Sequence, residues 1–358
     1  MAKIIITADI HFGIHNRLKD TVWAMEVMTS FAKENKIDTC IILGDLFHDR
    51  VSINIEVLNE VCKFFDRNKS IKFITYCGNH DMFLKNSWSI NSLEPLNKYI
   101  TIINGIQSID LYGQKFWILP FINYEADYME ALNKIDNKKT DILLTHIGIN
   151  NATLNECFLL KHWSIVNFDN TTYKHVFVGH FHCHQTVGKC TYPGSPIAFR
   201  FDEGVVDHGF LVYDTETEKY EFHNIYTEGK KYSDYRPPDY ITVEDKMLKK
   251  YIDTIKGNYV RIILNREYTI DELSRLRTLL TQTYGALHVS WYLFEKDMKE
   301  IRSTNEEVKN YDQEKLFQEY VKEDKPEDIK TDLLFKLHAA ILREAENRFV
   351  EITEETNA

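Results

Sequence analysis

The chain lacks any run approaching the ~18 apolar residues that a bilayer-spanning helix needs. The opening stretch Met1-Ala2-Lys3-Ile4-Ile5-Ile6-Thr7 is too short for a signal peptide, and a carboxylate, Asp9, follows at once. It reads as the first buried strand of a cytosolic protein with no membrane partner. Cysteine is scarce, with six in 358 residues, and the spacing suggests no pairing. Cys40, Cys62 and Cys77 sit in or beside apolar segments, where a thiol behaves as a small hydrophobe. Cys183 and Cys190, with His184 nearby, fit no usual zinc knuckle. Reduced, mostly buried thiols are expected. A basic excess is also missing. The chain carries 43 Lys and Arg against 54 Asp and Glu, a net charge of -11. That argues against broad electrostatic binding of nucleic acid. DNA as a substrate stays open, because bound divalent cations and a local basic face would supply the missing charge. Internal repeats and low-complexity segments are lacking too.

What the chain does have is enough apolar residue, 44%, to fill a substantial core. Lys3 to Thr7 reads as a strand, and Asp20 to Lys33 as a helix with Val22, Met25, Val27, Met28 and Phe31 on its apolar side. Cys40 to Leu43 is the next strand, Ile55 to Phe65 the next helix and Ile71 to Tyr76 the third strand. Phe116 to Leu119, Ile142 to Leu144 and Val176 to Val178 follow as strands. Gly209 to Tyr213 and Tyr220 to Asn224 read as a closing antiparallel pair. Strand and helix in alternation predict an α/β protein whose parallel sheet is covered on both faces.

Near residue 230 the pattern changes, and Pro237-Pro238 marks a linker or domain edge. A β-α-β-α-β unit follows, with strands Tyr240 to Val243, Tyr259 to Leu264 and Leu287 to Phe294. Its second helix starts at Thr269-Ile270-Asp271-Glu272, which has capping-box spacing. Residues 229 to 277 hold 11 Lys and Arg against 8 Asp and Glu, a local basic excess that suits a phosphate backbone. After Glu295 the chain is charged and reads as helical. Beyond Pro326, residues Leu334, Leu337, Ile341, Ala345 and Phe349 form an apolar stripe at helical spacing, suited to a partner's groove or helices. The expected domains are 1–228, 229–295 and 296–358.

Five short polar clusters each follow a predicted strand. They are Asp9-Ile10-His11, Gly44-Asp45-Leu46-Phe47-His48, Gly78-Asn79-His80-Asp81, Thr145-His146 and Gly179-His180-Phe181-His182. Ligands of such sheets collect beyond the carboxyl ends of the strands, so the clusters should meet on one rim. A phosphodiester repels nucleophiles through its negative charge. Two cations about 3.5–4 Å apart neutralise that charge and lower the pKa of a water between them. Asp45 is the carboxylate best suited to bridge such a pair. Asp9 and His11 straddle one residue and can reach a single ion. Asn79 offers a neutral carbonyl oxygen, and His146, His180 and His182 offer imidazole nitrogens. Mixed ligation of this kind suits Mn²⁺, with Fe²⁺ or Mg²⁺ as alternatives. His80 and His48 lie beside ligands and could deliver a proton to a leaving oxygen, with Asp81 able to orient His80.

This order of motifs, D-x-H, G-D-x-x-[DH], G-N-H-[DE], H, G-H-x-H, resembles the calcineurin-like metallophosphoesterases over roughly the first 200 residues. Tyr192-Pro193-Gly194-Ser195-Pro196, with Phe201 and Glu203 after it, resembles the segment that follows the last histidine motif in that family. Within it the chain is most similar to the SbcD nucleases of double-strand-break repair. The likeness rests on His48 three residues after Asp45, on an α/β cap and on a C-terminal helical segment. The resemblance implies a sandwich of two mixed β-sheets flanked by helices, with a small α/β capping domain. It assigns one ion to Asp9, His11, Asp45 and His182 and the other to Asp45, Asn79, His146 and His180. His80 becomes the proton donor or transition-state stabiliser and His48 a further phosphate-facing catalytic residue. It also implies Mn²⁺-dependent exonuclease and endonuclease activity on DNA ends, hairpins and single strands. It further implies an SbcC-type coiled-coil ATPase partner gripping Leu334, Leu337, Ile341 and Phe349, and a homodimer. The Asn150 to Lys174 stretch matches nothing in the family pattern. Richness in Asn, Lys and Ile fits a phage or low-GC bacterial source, and the expected location is the cytoplasm of a bacterial or phage-infected host cell. Two other readings compete: a phosphoesterase of phosphoproteins or small nucleotides, and a scaffold that has lost its metals. The complete ligand set disfavours the second.

Overall fold

Strand Lys3–Thr7 buries Ile4 and Ile6 on one side and Ile5 on the other. Side chains alternate along a strand, so an unbroken apolar run needs cover on both faces. The computed structural model describes residues 2–293 except 85, 136–140, 156–157, 160–167, 169–170 and 205. The stripe Leu334, Leu337, Ile341 and Phe349, the whole of 296–358 and part of the Asn150 to Lys174 stretch lie outside the described residues.

Two six-stranded sheets pack face to face. In the first, Lys3–Thr7, Thr39–Ile42, Lys72–Tyr76 and Thr101–Ile103 run parallel. Lys3–Thr7 also pairs antiparallel with Gly209–Asp214, which pairs with Lys219–Asn224. In the second, Gln114–Leu119, Ile142–His146, His175–Gly179 and Cys190–Tyr192 run parallel between the antiparallel edges Gln107–Leu111 and Gln185–Val187. Ile4, Ile6, Ile41, Leu43 and Ile74 of the first sheet meet Phe116, Ile118, Ile142, Leu144 and Phe177 of the second in a shared core. On the outer face of the first sheet, Ile5, Cys40, Ile42 and Phe73 pack with helices Leu18–Glu34 and Ile55–Arg67. On the outer face of the second, Leu143, Val176 and Val178 pack with Tyr128 and Leu132 of helix Glu125–Asn133. The chain therefore has the sandwich of two mixed β-sheets flanked by helices that the resemblance implies. The pattern predicts a sheet covered on both faces; helices cover the outer face and the other sheet the inner one.

A smaller three-stranded sheet, Tyr240–Glu244, Tyr259–Leu264 and His288–Leu293, has its own core of Ile255, Val260, Ile262, Leu264, Leu280 and Val289. Helix Ile270–Thr278 starts with the expected capping box between Thr269 and Glu272. A division at residue 228 runs through helix Ile225–Tyr232, whose Ile225 belongs to the first sheet's helical core.

Candidate metal centre

The five strand ends bring their polar clusters to one rim through backbone pairing of the loops beyond them. The segment after Lys3–Thr7 runs alongside the segment after Thr39–Ile42. Asp9 N–H donates to the Gly44 carbonyl (3.2 Å), His11 N–H to Asp45 (3.1 Å) and Phe12 N–H to Leu46 (2.8 Å). Four residues of the clusters have left-handed backbone, Asp9 (φ 53°), His11 (50°), Asp45 (52°) and His180 (106°). Non-glycine residues hold such angles at a cost of order 1–3 kcal/mol, typically where surrounding structure and function demand it. Glycine allows the closest approach: a Cβ on Gly78 would lie 2.2 Å from Asp45 Oδ1, and one on Gly44 2.7 Å from Gly78 N.

The predicted ligands converge in two overlapping groups. Asp9, His11 and His182 form one, and Asp9, Asp45 and His146 the other, with donor atoms within 4.8 Å of one another in each. Asp45 Oδ2 lies 3.7 Å from His11 Nε2 and 3.4 Å from His146 Nε2, so this carboxylate faces both. Asn79 Oδ1 lies 3.0 Å from His146 Nε2 and 2.8 Å from His180 Nδ1. The His180 backbone N–H donates to both Asp9 oxygens, at 3.1 and 3.0 Å.

Tautomers decide what this arrangement can hold. A carbonyl only accepts, so His146 Nδ1 carries the hydrogen it gives to Leu43 O (2.7 Å). His182 Nδ1 likewise donates to the Glu203 carboxylate (2.9 Å). In the neutral rings the Nε2 lone pairs then face inward. His146 Nε2 faces Asn79 and Asp45 oxygens, and His182 Nε2 lies 3.1 Å from His11 Nε2. An unprotonated Nε2 facing amide and carboxylate oxygens, as in His146, is repelled by them unless a proton or a cation lies between. Asp9 and Asp45 are 0% and 2% exposed, and among the described residues no lysine or arginine pairs with either. The donor set thus fits divalent cations, with carboxylate, amide and imidazole but no thiolate.

Without ions the imidazoles carry the compensation. Burial pushes Asp9 up to about 6, although His146 and His182 pull the other way. For Asp45 burial is outweighed by the charge and hydrogen bond of His146 and by His11, which hold it well below the usual carboxylate range. Burial also opposes protonation of His146, yet Asp45 and Asp9 push it up to about 9. Burial and the neighbouring His146 bring His180 down to about 3. His11 is held well below its ordinary value by burial, with Asp45 opposing. Burial works against a charged His182, and its hydrogen bond to Glu203 wins; burial raises Glu203, and the same bond brings it down to about 2.

His80 and His48 flank the cluster, partly exposed, with rings stacked at 5.2 Å between centroids. His80 Nδ1 donates to the His48 carbonyl (2.6 Å), which leaves Nε2 unprotonated in the neutral ring. The His80 backbone N–H holds Asp45 Oδ1 at 2.7 Å. Asp81 does not orient the His80 ring as the sequence suggested. Its buried carboxylate accepts backbone N–H groups from Asp45 (2.7 Å), Leu46 (3.1 Å), Phe47 (3.2 Å) and Gly78 (3.0 Å), and the Ser92 hydroxyl. The reason is geometric: the turn at Asn79-His80 points Asp81 back under both loops, where four amides need an acceptor. Glu203 carries a role that its position in the sequence did not reveal. It is fully buried and accepts from His182, from Phe199 N–H (2.8 Å) and from Arg200 Nε (3.0 Å).

The family profile described as calcineurin-like phosphoesterase matches residues 2–184. Exonuclease subunit 1 of Enterobacteria phage T4 is 27% identical over 247 residues, covering 62% of this chain and 67% of the phage protein. A putative phosphoesterase of Invertebrate iridescent virus 6 is 28% identical over 231 residues, covering 59% and 75%. Among solved structures, GAP50, the anchor in the inner membrane complex of Plasmodium, is 12% identical with a TM-score of 0.40. It covers 62% of this chain and 88% of that one.

Proposed function

Because the chain belongs to the calcineurin-like phosphoesterase family, we propose that it is a two-metal DNA nuclease that processes strand ends as exonuclease and endonuclease. The observation that carries this reading is the convergence of five imidazole and amide side chains on two buried carboxylates, with no lysine or arginine paired to them among the described residues. Asp9, His11, Asp45 and His182 would hold one ion and Asp45, Asn79, His146 and His180 the other, with Mn²⁺ the best match to the donors. Bound there, the ions neutralise the diester's charge and lower the pKa of a water. Asp45, clamped by the His80 amide, keeps its second oxygen free to face both groups. Asn79 adds a ligand oxygen without adding charge. His80, anchored through Nδ1, offers Nε2 to hold a proton for the leaving oxygen, and His48, whose ring stacks on it, would be a further phosphate-facing residue.

Two further observations favour DNA over a small substrate. The T4 relative is an exonuclease subunit. The three-stranded sheet adds a folded surface beyond the catalytic body that a small-molecule enzyme does not need. We assign the body that ends with helix Ile225–Tyr232 to the nuclease domain, the three-stranded sheet that starts at Tyr240 to a DNA-facing cap and residues 296–358 to binding an SbcC-type ATPase, with homodimerisation of the subunit.

Metal-stripped protein reloaded with Mn²⁺ should cut linear duplex, hairpin and single-stranded DNA, and chelation should abolish cutting. Hydrolysis confined to phosphopeptides or cyclic nucleotides would replace the nuclease with the other phosphoesterase reading. A chain lacking 326–358 should keep nuclease activity and fail to retain the ATPase in a pull-down; retention would reject that segment's role.

A further inference from the structure

Resting on the nuclease reading, we infer that the cavity beside the metal centre, walled by Trp88, Phe121 and Tyr124, receives one unpaired nucleobase of the strand being cut. The cavity has a volume of about 450 Å³ and is lined chiefly by apolar and aromatic groups, with Ser87, Asn123 and Asp127 among the polar ones. That volume lies in the range of small-ligand sites.

Phe121 joins the cavity to the centre. Its ring stacks on His180 (6.1 Å between centroids, 28° between planes) and meets His146 edge-on (6.1 Å, 80°). Its backbone is fixed from both sides: Phe121 N–H donates to the Cys77 carbonyl (3.1 Å), just before Gly78-Asn79, and Trp88 Nε1 donates to the Phe121 carbonyl (2.8 Å). The aromatic wall and the ligand loop are therefore one hydrogen-bonded unit. Tyr124, 54% exposed, stands at the start of helix Glu125–Asn133, and the hairpin that follows Asp81 supplies Met82 and Trp88 to the lining.

The chemistry of the neighbouring centre selects the occupant. Asp9, Asp45 and His146 are at most 2% exposed, so a scissile phosphate has to enter a recess. A nucleotide follows its phosphate into such a recess most readily where it is unpaired, because turning it out of the stack costs least there. The freed base then needs a surface, and aromatic side chains serve every base because each has a π-face. An apolar aromatic cavity sharing a wall with two ligand histidines is placed for that base. Discrimination between bases is weak in such a site, whereas preference for unpaired over paired strands is strong.

The test uses short single strands with Mn²⁺-loaded full-length protein, one abasic residue being walked along the sequence, and bis(p-nitrophenyl) phosphate as a diester without a base. Tyr124→Ala should raise KM for the intact strand roughly tenfold, the loss of one stacking contact, with Tyr124→Phe restoring it. The ratio of DNA to base-free diester hydrolysis should fall in the Ala variant. In the wild type an abasic residue next to the cut should weaken binding; in Tyr124→Ala it should add little further loss. Trp88→Leu should behave like Tyr124→Ala if it folds, and Tyr124, on the surface, keeps the test decisive if it does not. Wild-type KM and an undiminished abasic effect in Tyr124→Ala would overturn the base site while leaving the nuclease intact. A wild type inert on both DNA and the base-free diester would overturn the nuclease reading and this site with it.

Discussion

Glu203 reaches none of the other proposed ligand residues, yet it sets how one of them presents its lone pair. By taking the His182 Nδ1 hydrogen it fixes the tautomer whose Nε2 faces His11. Carboxylates in this position typically contribute 10–100-fold to metal affinity. Glu203→Gln keeps an acceptor but removes the charge. We expect Mn²⁺ affinity to fall roughly tenfold or more, with cleavage recovered at high Mn²⁺; an unchanged half-saturating concentration would refute the role. His80 presents the opposite case, a residue beside the ligands whose side chain binds the His48 carbonyl. His80→Ala should retain two equivalents of Mn²⁺ by calorimetry and lose roughly 10²–10⁴ in cleavage rate. Loss of metal would make it a ligand instead.

At the scale of elements, the centre depends on how closely two loops approach. Gly78 lies outside the left-handed region, so the obstacle alanine meets there is steric: its Cβ would sit 2.2 Å from Asp45 Oδ1 and 2.5 Å from Asp45 N. Gly78→Ala should destabilise the protein by roughly 1–3 kcal/mol and displace the carboxylate that faces both ion positions. Thermal melts with and without Mn²⁺ would show a lower melting temperature and a smaller metal-induced rise; a normal rise would mean that the loops tolerate the methyl. The same elements show why so much was legible beforehand. Ile4-Ile5-Ile6 and Cys40-Ile41-Ile42-Leu43 are continuous apolar runs followed within three residues by Asp, so both strand and rim follow from local pattern. Short edge strands such as Gln185–Val187 carry three residues of mixed character and no such signal. Helix Glu125–Asn133 buries only Tyr128, Ala131 and Leu132 and shows little amphipathic contrast. Nor does alternation tell whether a helix or a second sheet covers a strand's inner face; that depends on partners distant in the chain. Asp81 was misread for a related reason: adjacency to His80 suggested a side-chain pair, and the four amides it accepts from come together only after the loops fold.

The buried Arg17 guanidinium ties the catalytic body to the three-stranded sheet, beside the Arg261 guanidinium of that sheet lying 4.4 Å over Phe201, and no motif announced it. Arg17 is 3% exposed. Its Nε pairs with Asp20 (2.7 Å), Nη1 donates to the Ala198 carbonyl and Nη2 to the Pro238 carbonyl (3.0 Å). Its plane lies 5.3 and 5.7 Å from the centroids of Tyr240 and Tyr259, which stack on each other. The loop beyond His11, the segment following the last histidine motif and the sheet from Tyr240 onward thus meet on one side chain. Truncating it would leave the buried Asp20 without its cation, a loss of about 3–5 kcal/mol for a broken buried pair, and would confound unfolding with detachment. Arg17→Lys separates them, since lysine keeps the charge but cannot reproduce the planar fork. We expect this variant to stay folded and to hydrolyse bis(p-nitrophenyl) phosphate. Its junction between Ser233 and Asp239 should be cut faster by a protease, and its activity on duplex DNA should fall, because the proposed DNA-facing sheet no longer sits at a fixed angle to the centre. Proteolysis and DNA cleavage at wild-type rates would show that the apolar contacts around Tyr240 hold the sheet without the guanidinium.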